Sequence, residues 1–166
     1  MLSLRSVNQF YGQNHILWDV DLDLSPGTCT GILGRPGMGK TTLVNCIMGR
    51  LPINSGTISW KEDGSPPEDL LLQPAEQRAQ MGIGYVPQGR HIFTQMSVED
   101  NLLIALLAGA RQRDRPRAIP AMVLELFPAP YSLRHQRRGD LPIDQQHPPA
   151  PGPALAPHAQ RRVLAG

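Results

Sequence analysis

The chain has 166 residues, a formal net charge of +2 and 18% charged residues. That length suffices for one domain with a buried core. Nothing in the charge balance suggests the clustered basic face of a nucleic-acid binder, and the two cysteines, Cys29 and Cys46, are not spaced as a metal or redox pair.

Leu2-Ser3-Leu4-Arg5-Ser6-Val7 alternates apolar and polar residues, as a half-buried strand does. Tyr11-Gly12 marks a turn. Ile16 to Leu24 alternates again and stops at Ser25-Pro26-Gly27. The β-branched and apolar run Thr28-Cys29-Thr30-Gly31-Ile32-Leu33 predicts a buried strand. Thr42 to Met48 reads as a helix, and Ser55 to Trp60 as a short strand. Glu62 to Pro74, rich in Pro, Asp and Gly, predicts a loop. Gly82 to Gln88 predicts a buried strand ending at Pro87. Ser97-Val98-Glu99-Asp100 has the capping-box pattern and opens an apolar helix from Asn101 to Ala108. Arg111, Arg113, Arg115 and Arg117 follow in a linker and read as a solvated loop. Ala121 to Phe127 predicts a second short helix, stopped by Pro128.

From about Pro142 the composition shifts to Pro, Ala, His and Arg. Proline removes backbone donors and clashes within a helix, so residues 142–166 are expected to be an irregular tail behind a domain of residues 1–141. Cys29, on its strand, and Cys46, on its helix, are both expected to be buried small apolar residues in a reducing compartment. No metal spacing is found among the five histidines. The sequence shows neither a signal peptide nor an apolar run long enough to span a bilayer, so any membrane association is expected to go through a partner.

One stretch carries chemistry. Gly34-Arg35-Pro36-Gly37-Met38-Gly39-Lys40-Thr41-Thr42 fits the phosphate-binding pattern G-x-x-x-x-G-K-[ST]. Residues without a Cβ let the backbone curl and turn its N–H groups toward an anion. Lys40 supplies a charge for the β- and γ-phosphates, and the Thr41 hydroxyl is placed to ligate Mg²⁺. The helix that follows points its positive end at the same anion.

Several motifs then line up in one order: Asn8-Gln9-Phe10-Tyr11-Gly12, Gly34 to Thr42, Cys46-Ile47-Met48-Gly49, Tyr85 to Phe93, Ser97 to Leu103, Leu126-Phe127-Pro128 and Arg137 to Leu141. In these the chain resembles the ATP-binding subunits of ABC importers, nearest to the urea and branched-chain amino acid branch. The resemblance implies an α/β P-loop NTPase fold, here incomplete, with an N-terminal antiparallel β subdomain and parts of the RecA-like core and helical subdomain. It implies ATP and Mg²⁺ as cofactors, with Gly34 to Thr42 on the phosphates. Tyr11 would stack on adenine, its alternative being a turn aromatic packed on its own sheet. Gln88 would reach Mg²⁺ or the attacking water, its alternative being an exposed loop residue. The segment after it, through Phe93 and Met96, would face a permease, the alternative for Ile92 and Phe93 being a plain core role.

The implied partners are membrane permease subunits and a second ATP-binding subunit paired head to tail, with no nucleic acid. The implied location is cytoplasmic, on the inner face of the membrane. The chain departs from the family where Leu-Ser-Gly-Gly-Gln is expected: it has Leu141-Pro142-Ile143-Asp144-Gln145. An Asp-Glu pair after an apolar run is also missing. These departures predict a cassette cut short or read through a shifted frame. Three readings stay open: an importer ATPase subunit, an inactive remnant of one, and a stand-alone P-loop kinase or GTPase. The Gln88 segment and the Gly139-Asp140-Leu141 lead weigh against the last.

Overall fold

The computed structural model describes residues 1–89, 91–108, 119–126, 135–137 and 162–165. The chain divides into two compact units: Met1–Pro87 with Gln160–Gly166, and Gln88–Ala159.

The first unit starts with a hairpin. Strand β1 (Leu2–Tyr11) runs antiparallel to β2 (Asn14–Leu24), both longer than their alternation predicts. Helix α1 spans Lys40–Ile47. Strand β3 (Ser55–Trp60) pairs with the other edge of β1, and the two-residue strand β4 (Glu68–Asp69) extends the sheet to the order β2-β1-β3-β4. Leu2, Leu4, Val7, Leu17, Ile58 and Trp60 line one face of this sheet and pack with Leu43, Cys46 and Ile47 of α1. Each leucine, isoleucine or valine among them, fully buried, contributes about 1.5–3 kcal/mol.

The segment 62–74, expected to be a loop, holds β4 and a 3-10 turn, Leu70–Leu72. Two forces order it. The backbone of β4 finds partners in Ser59 and Trp60, and Leu70 drops into the core. The Asp69 carboxylate caps the turn by accepting from the Leu71 N–H at 2.8 Å. A six-residue helix that the sequence did not announce, α2 (Ala75–Gln80), follows. Strand β5 is shorter than predicted, Ile83–Val86; Ile83 is buried and Val86 exposed.

Two expectations are overturned. The run 28–33 is not a strand and its residues are exposed, Leu33 to 95%. Apolar sequence favours burial, but a central strand also needs neighbours for its N–H and C=O groups, and none pairs with this run among the described residues. Cys29 is accordingly exposed, whereas Cys46 is buried. The tail is not wholly irregular either. Strand β6 (Arg162–Ala165) pairs in parallel with β5, Ile83 opposite Arg162 and Val86 opposite Ala165. One edge of β5 is therefore covered.

The two thiols should behave oppositely. Desolvation pushes the Cys46 thiol up to about 11, against a smaller downward pull from Arg78. Since the thiolate is the nucleophile, iodoacetamide at about pH 8 should label Cys29 and spare Cys46 in the native chain. Peptide mapping that found both thiols labelled at equal rates would contradict this packing.

In the second unit, helix α3 spans Val98–Ala108, starting three residues before the predicted Asn101. The Ser97 hydroxyl accepts from the Asp100 N–H at 3.1 Å and donates to the Asp100 carboxylate at 2.6 Å, so the cap sits at the Ser97 of the predicted capping pattern. The Asn101 side chain clasps the preceding turn: its Nδ2 donates to the carbonyls of Phe93 and Ser97, each at 2.9 Å, and its Oδ1 accepts from the Phe93 N–H. Phe93 is exposed and Ile92 half-buried. Helix α4 covers Ala121–Leu126. No helix among the described residues is long and apolar enough to cross a membrane.

Candidate functional site: the loop before helix α1

Gly34 to Gly39 is an exposed loop except at its end, where Gly39 is buried. Gly37 and Gly39 have φ of 81° and 85°, in the region that disfavours side chains. Gly39 has a second constraint. A Cβ there would lie 3.0 Å from Ile16 Cγ2 and Leu17 Cδ2, so the loop's end is pressed against β2. Gly34 is under neither constraint, with nothing nearer than 3.9 Å to its Cβ position.

Lys40 opens α1 and folds back over the loop. Its Nζ donates to the carbonyl oxygens of Gly34 and Arg35, both at 2.8 Å. The ammonium is thereby held on the loop rather than dispersed into solvent. Gly39 provides no side-chain cap, and the first turn of α1 has no acidic residue. The partial positive charge at this helix end is thus left for an external anion. Thr41 is exposed and Thr42 is buried, which separates two hydroxyls that the sequence presents side by side. Only Thr41 faces a possible ligand. Arg35, Pro36 and Met38 are exposed, with the Met38 N–H donating to the Arg35 carbonyl across the turn at 3.3 Å. These features fit a polyphosphate with its divalent cation: fixed ammonium, unopposed helix N-terminus, exposed hydroxyl.

The other expected site residues are more scattered. Tyr11 ends β1 at the hairpin tip and is 49% exposed. Beside it, the rings of Phe10, His15 and Trp18 stack on one another, with centroids 4.0 and 3.7 Å apart. Tyr11 keeps an open face outside that stack. Gln88 is exposed and belongs to the second unit. Residues 138–145, with the substituted signature and its lead, and the arginine linker 111–117 lie outside the described residues.

Sequence reading missed Arg78. It is 4% exposed, and its guanidinium donates to the carbonyls of Cys46, Ile47 and Gln73 at 2.9, 2.7 and 2.8 Å. Its only sequence signal is an arginine in a short polar helix.

A glycine-rich loop and its lysine, opening a helix packed on a β-sheet, define a P-loop fold of the α/β class. Within that class, the ABC transporter family profile matches residues 17–146. The chain belongs to this family. It is 31% identical over 141 residues to the probable branched-chain amino acid transport ATP-binding protein LivF of Archaeoglobus fulgidus, covering 85% of this chain and 57% of the relative. It is 32% identical over 155 residues to the high-affinity branched-chain amino acid transport ATP-binding protein BraG of Pseudomonas aeruginosa, covering 93% and 64%. The lipopolysaccharide export system ATP-binding protein LptB of Escherichia coli is 34% identical over 119 residues, 69% and 47% of the two chains. The chain thus spans less than two thirds of these relatives' lengths. Among solved structures, the ADP conformation of MJ1267, an ATP-binding cassette, superposes with a TM-score of 0.68 at 23% identity, covering 88% of this chain and 60% of that one. The dimeric cassette MJ0796 gives 0.70 at 20%, covering 99% and 73%. The fold is that of an ABC ATPase cassette in part: the antiparallel β subdomain and portions of the rest.

Proposed function

We propose that this chain is the nucleotide-binding portion of an ABC importer's ATP-binding subunit and that it takes MgATP at Gly34 to Thr42. The observation that carries this is Lys40, held by two loop carbonyls at the mouth of an uncapped helix. Lys40 and the loop N–H groups would hold the β- and γ-phosphates, and Thr41 would ligate Mg²⁺ with Gln88 as a further candidate. Bound Mg²⁺ would supply charge neutralisation for the phosphates. Tyr11 would lend its open face to adenine. The branched-chain relatives support an amino acid as the solute, and urea fits the same branch by motif. Membership of the ABC transporter family supports docking on permease subunits at the inner face of the membrane, and the dimeric cassette supports pairing with a second ATP-binding subunit.

A second reading, binding without turnover, is favoured by Pro142, Ile143 and Asp144 at the signature positions. In the family a serine and two glycines there offer a hydroxyl and bare N–H groups to the partner's γ-phosphate; Asp144 would bring a repelling charge instead.

Calorimetric titration of the 166-residue chain with MgATP and with AMP tests the site. ATP should bind at least tenfold more tightly, about 1.4 kcal/mol, because the loop addresses the outer phosphates. Tyr11→Ala should weaken ATP while Tyr11→Trp retains it, since the ring face and not the hydroxyl is used. Equal affinities for ATP and AMP would remove the P-loop from the account, and a Tyr11→Ala chain with full affinity would remove the stacking.

A further inference from the structure

Arg78 lies at the opposite end of α1 from the phosphate loop, in the same unit. It is a buried cation that forms no ion pair with a carboxylate among the described residues. Its neutralisation comes from backbone. One nitrogen donates to two consecutive carbonyls in the last turn of α1, Cys46 and Ile47, and another to Gln73, just ahead of its own helix. The last carbonyls of a helix carry its negative end and lack intrahelical donors, so a guanidinium is well suited to them. Desolvation lowers the Arg78 pKa, with Asp69 opposing, so the contact is made against a burial cost.

The backbone makes room for it. A Cβ on Gly49 would lie 2.8 Å from Arg78 Cζ, so the planar group rests where only glycine leaves space. A lysine could carry the charge but not reach three acceptors in fixed directions. Helix α1 has only eight residues, about 12 Å. Over that length a shift at the carboxyl end is transmitted almost whole to Lys40.

We propose that Arg78 is a positioning residue for the phosphate site: by tying the carboxyl end of α1 to the start of α2, it fixes where the amino end presents Lys40 and the loop. The proposal rests on the reading of Gly34 to Thr42 as the ATP site. By linkage, whatever factor the Arg78 contact adds to ATP affinity, ATP adds to the contact.

The test is Arg78→Lys in the 166-residue chain, titrated with MgATP and AMP at a temperature where circular dichroism shows the variant folded. ATP affinity should fall about tenfold with AMP affinity unchanged. A lowered melting temperature with an unchanged ATP-to-AMP ratio assigns Arg78 to stability alone and overturns the proposal. Lys40→Ala, run alongside, separates the two levels. If it leaves ATP binding intact, the nucleotide site and this inference both fall; if it weakens ATP while Arg78→Lys does not, only the inference falls. Should the variant not fold, hydrogen exchange at Arg78 Nε–H in the unaltered chain decides. Saturating ATP should slow that exchange about tenfold and AMP should not; equal rates overturn the proposal.

Discussion

Replacing Lys40 with alanine should lower the affinity for MgATP by at least tenfold, about 1.4 kcal/mol. The truncation removes two things. One is the ammonium, the only charge that α1 offers to a phosphate in its first turn. The other is the pair of bonds to Gly34 and Arg35 that keep the loop closed on itself. Charge-assisted bonds to phosphate are about twice as strong as neutral ones, so the first loss dominates. Stability should change little, because both bonds are exposed. Lys40→Arg should also bind poorly, since a planar fork does not replace a compact point charge. Calorimetry of parent and Lys40→Ala with equal dissociation constants would end the assignment.

Gly56→Ala should be the most damaging single-atom change in the first unit, costing about 3 kcal/mol or more. Gly56 sits where β1 carries a bulge: Arg5 pairs with Thr57 and Asn8 with Ser55, leaving two residues of β1 opposite one of β3. Its φ is +101°, and a Cβ would lie 2.4 Å from the Ser6 carbonyl oxygen and 2.6 Å from that of Arg5. Those atoms are backbone in a paired strand and cannot swing aside. Gly12→Ala is the control. Its φ is +60° but nothing lies within 4 Å, so only conformational strain is added, about 1 kcal/mol. Urea midpoints equally shifted in the two variants would show that the bulge is softer than it looks.

Legibility followed the range of the forces involved. The loop before α1 and the helix it opens were readable because their pattern is local: consecutive residues, each with a reason. Strands β1 and β2 were readable because alternation records which face is buried. The run 28–33 misled because its pattern reports a preference for burial, whereas burial itself depends on neighbours far along the chain. Arg78 was invisible for a related reason. Its acceptors, Cys46 and Ile47, are about thirty residues away, and nothing in a six-residue polar helix announces them. Strand β6 was hidden by averaging, four residues lost in a proline-rich stretch of 25.

The pairing of β5 with β6 has a consequence for synthesis. The sheet β2-β1-β3-β4 is complete once Asp69 has emerged from the ribosome. Strand β5 emerges soon after, but its partner lies about 80 residues further on. At about 5–20 residues per second, β5 waits roughly 4–16 s for that partner. The nascent chain therefore holds a finished antiparallel sheet and an unfinished parallel edge at the same time, and Thr28 to Leu33 is bare throughout. A chaperone that binds extended apolar segments would find its targets in that interval, at Ile83 to Val86 and at Ile32-Leu33, rather than in the β1–β2 hairpin.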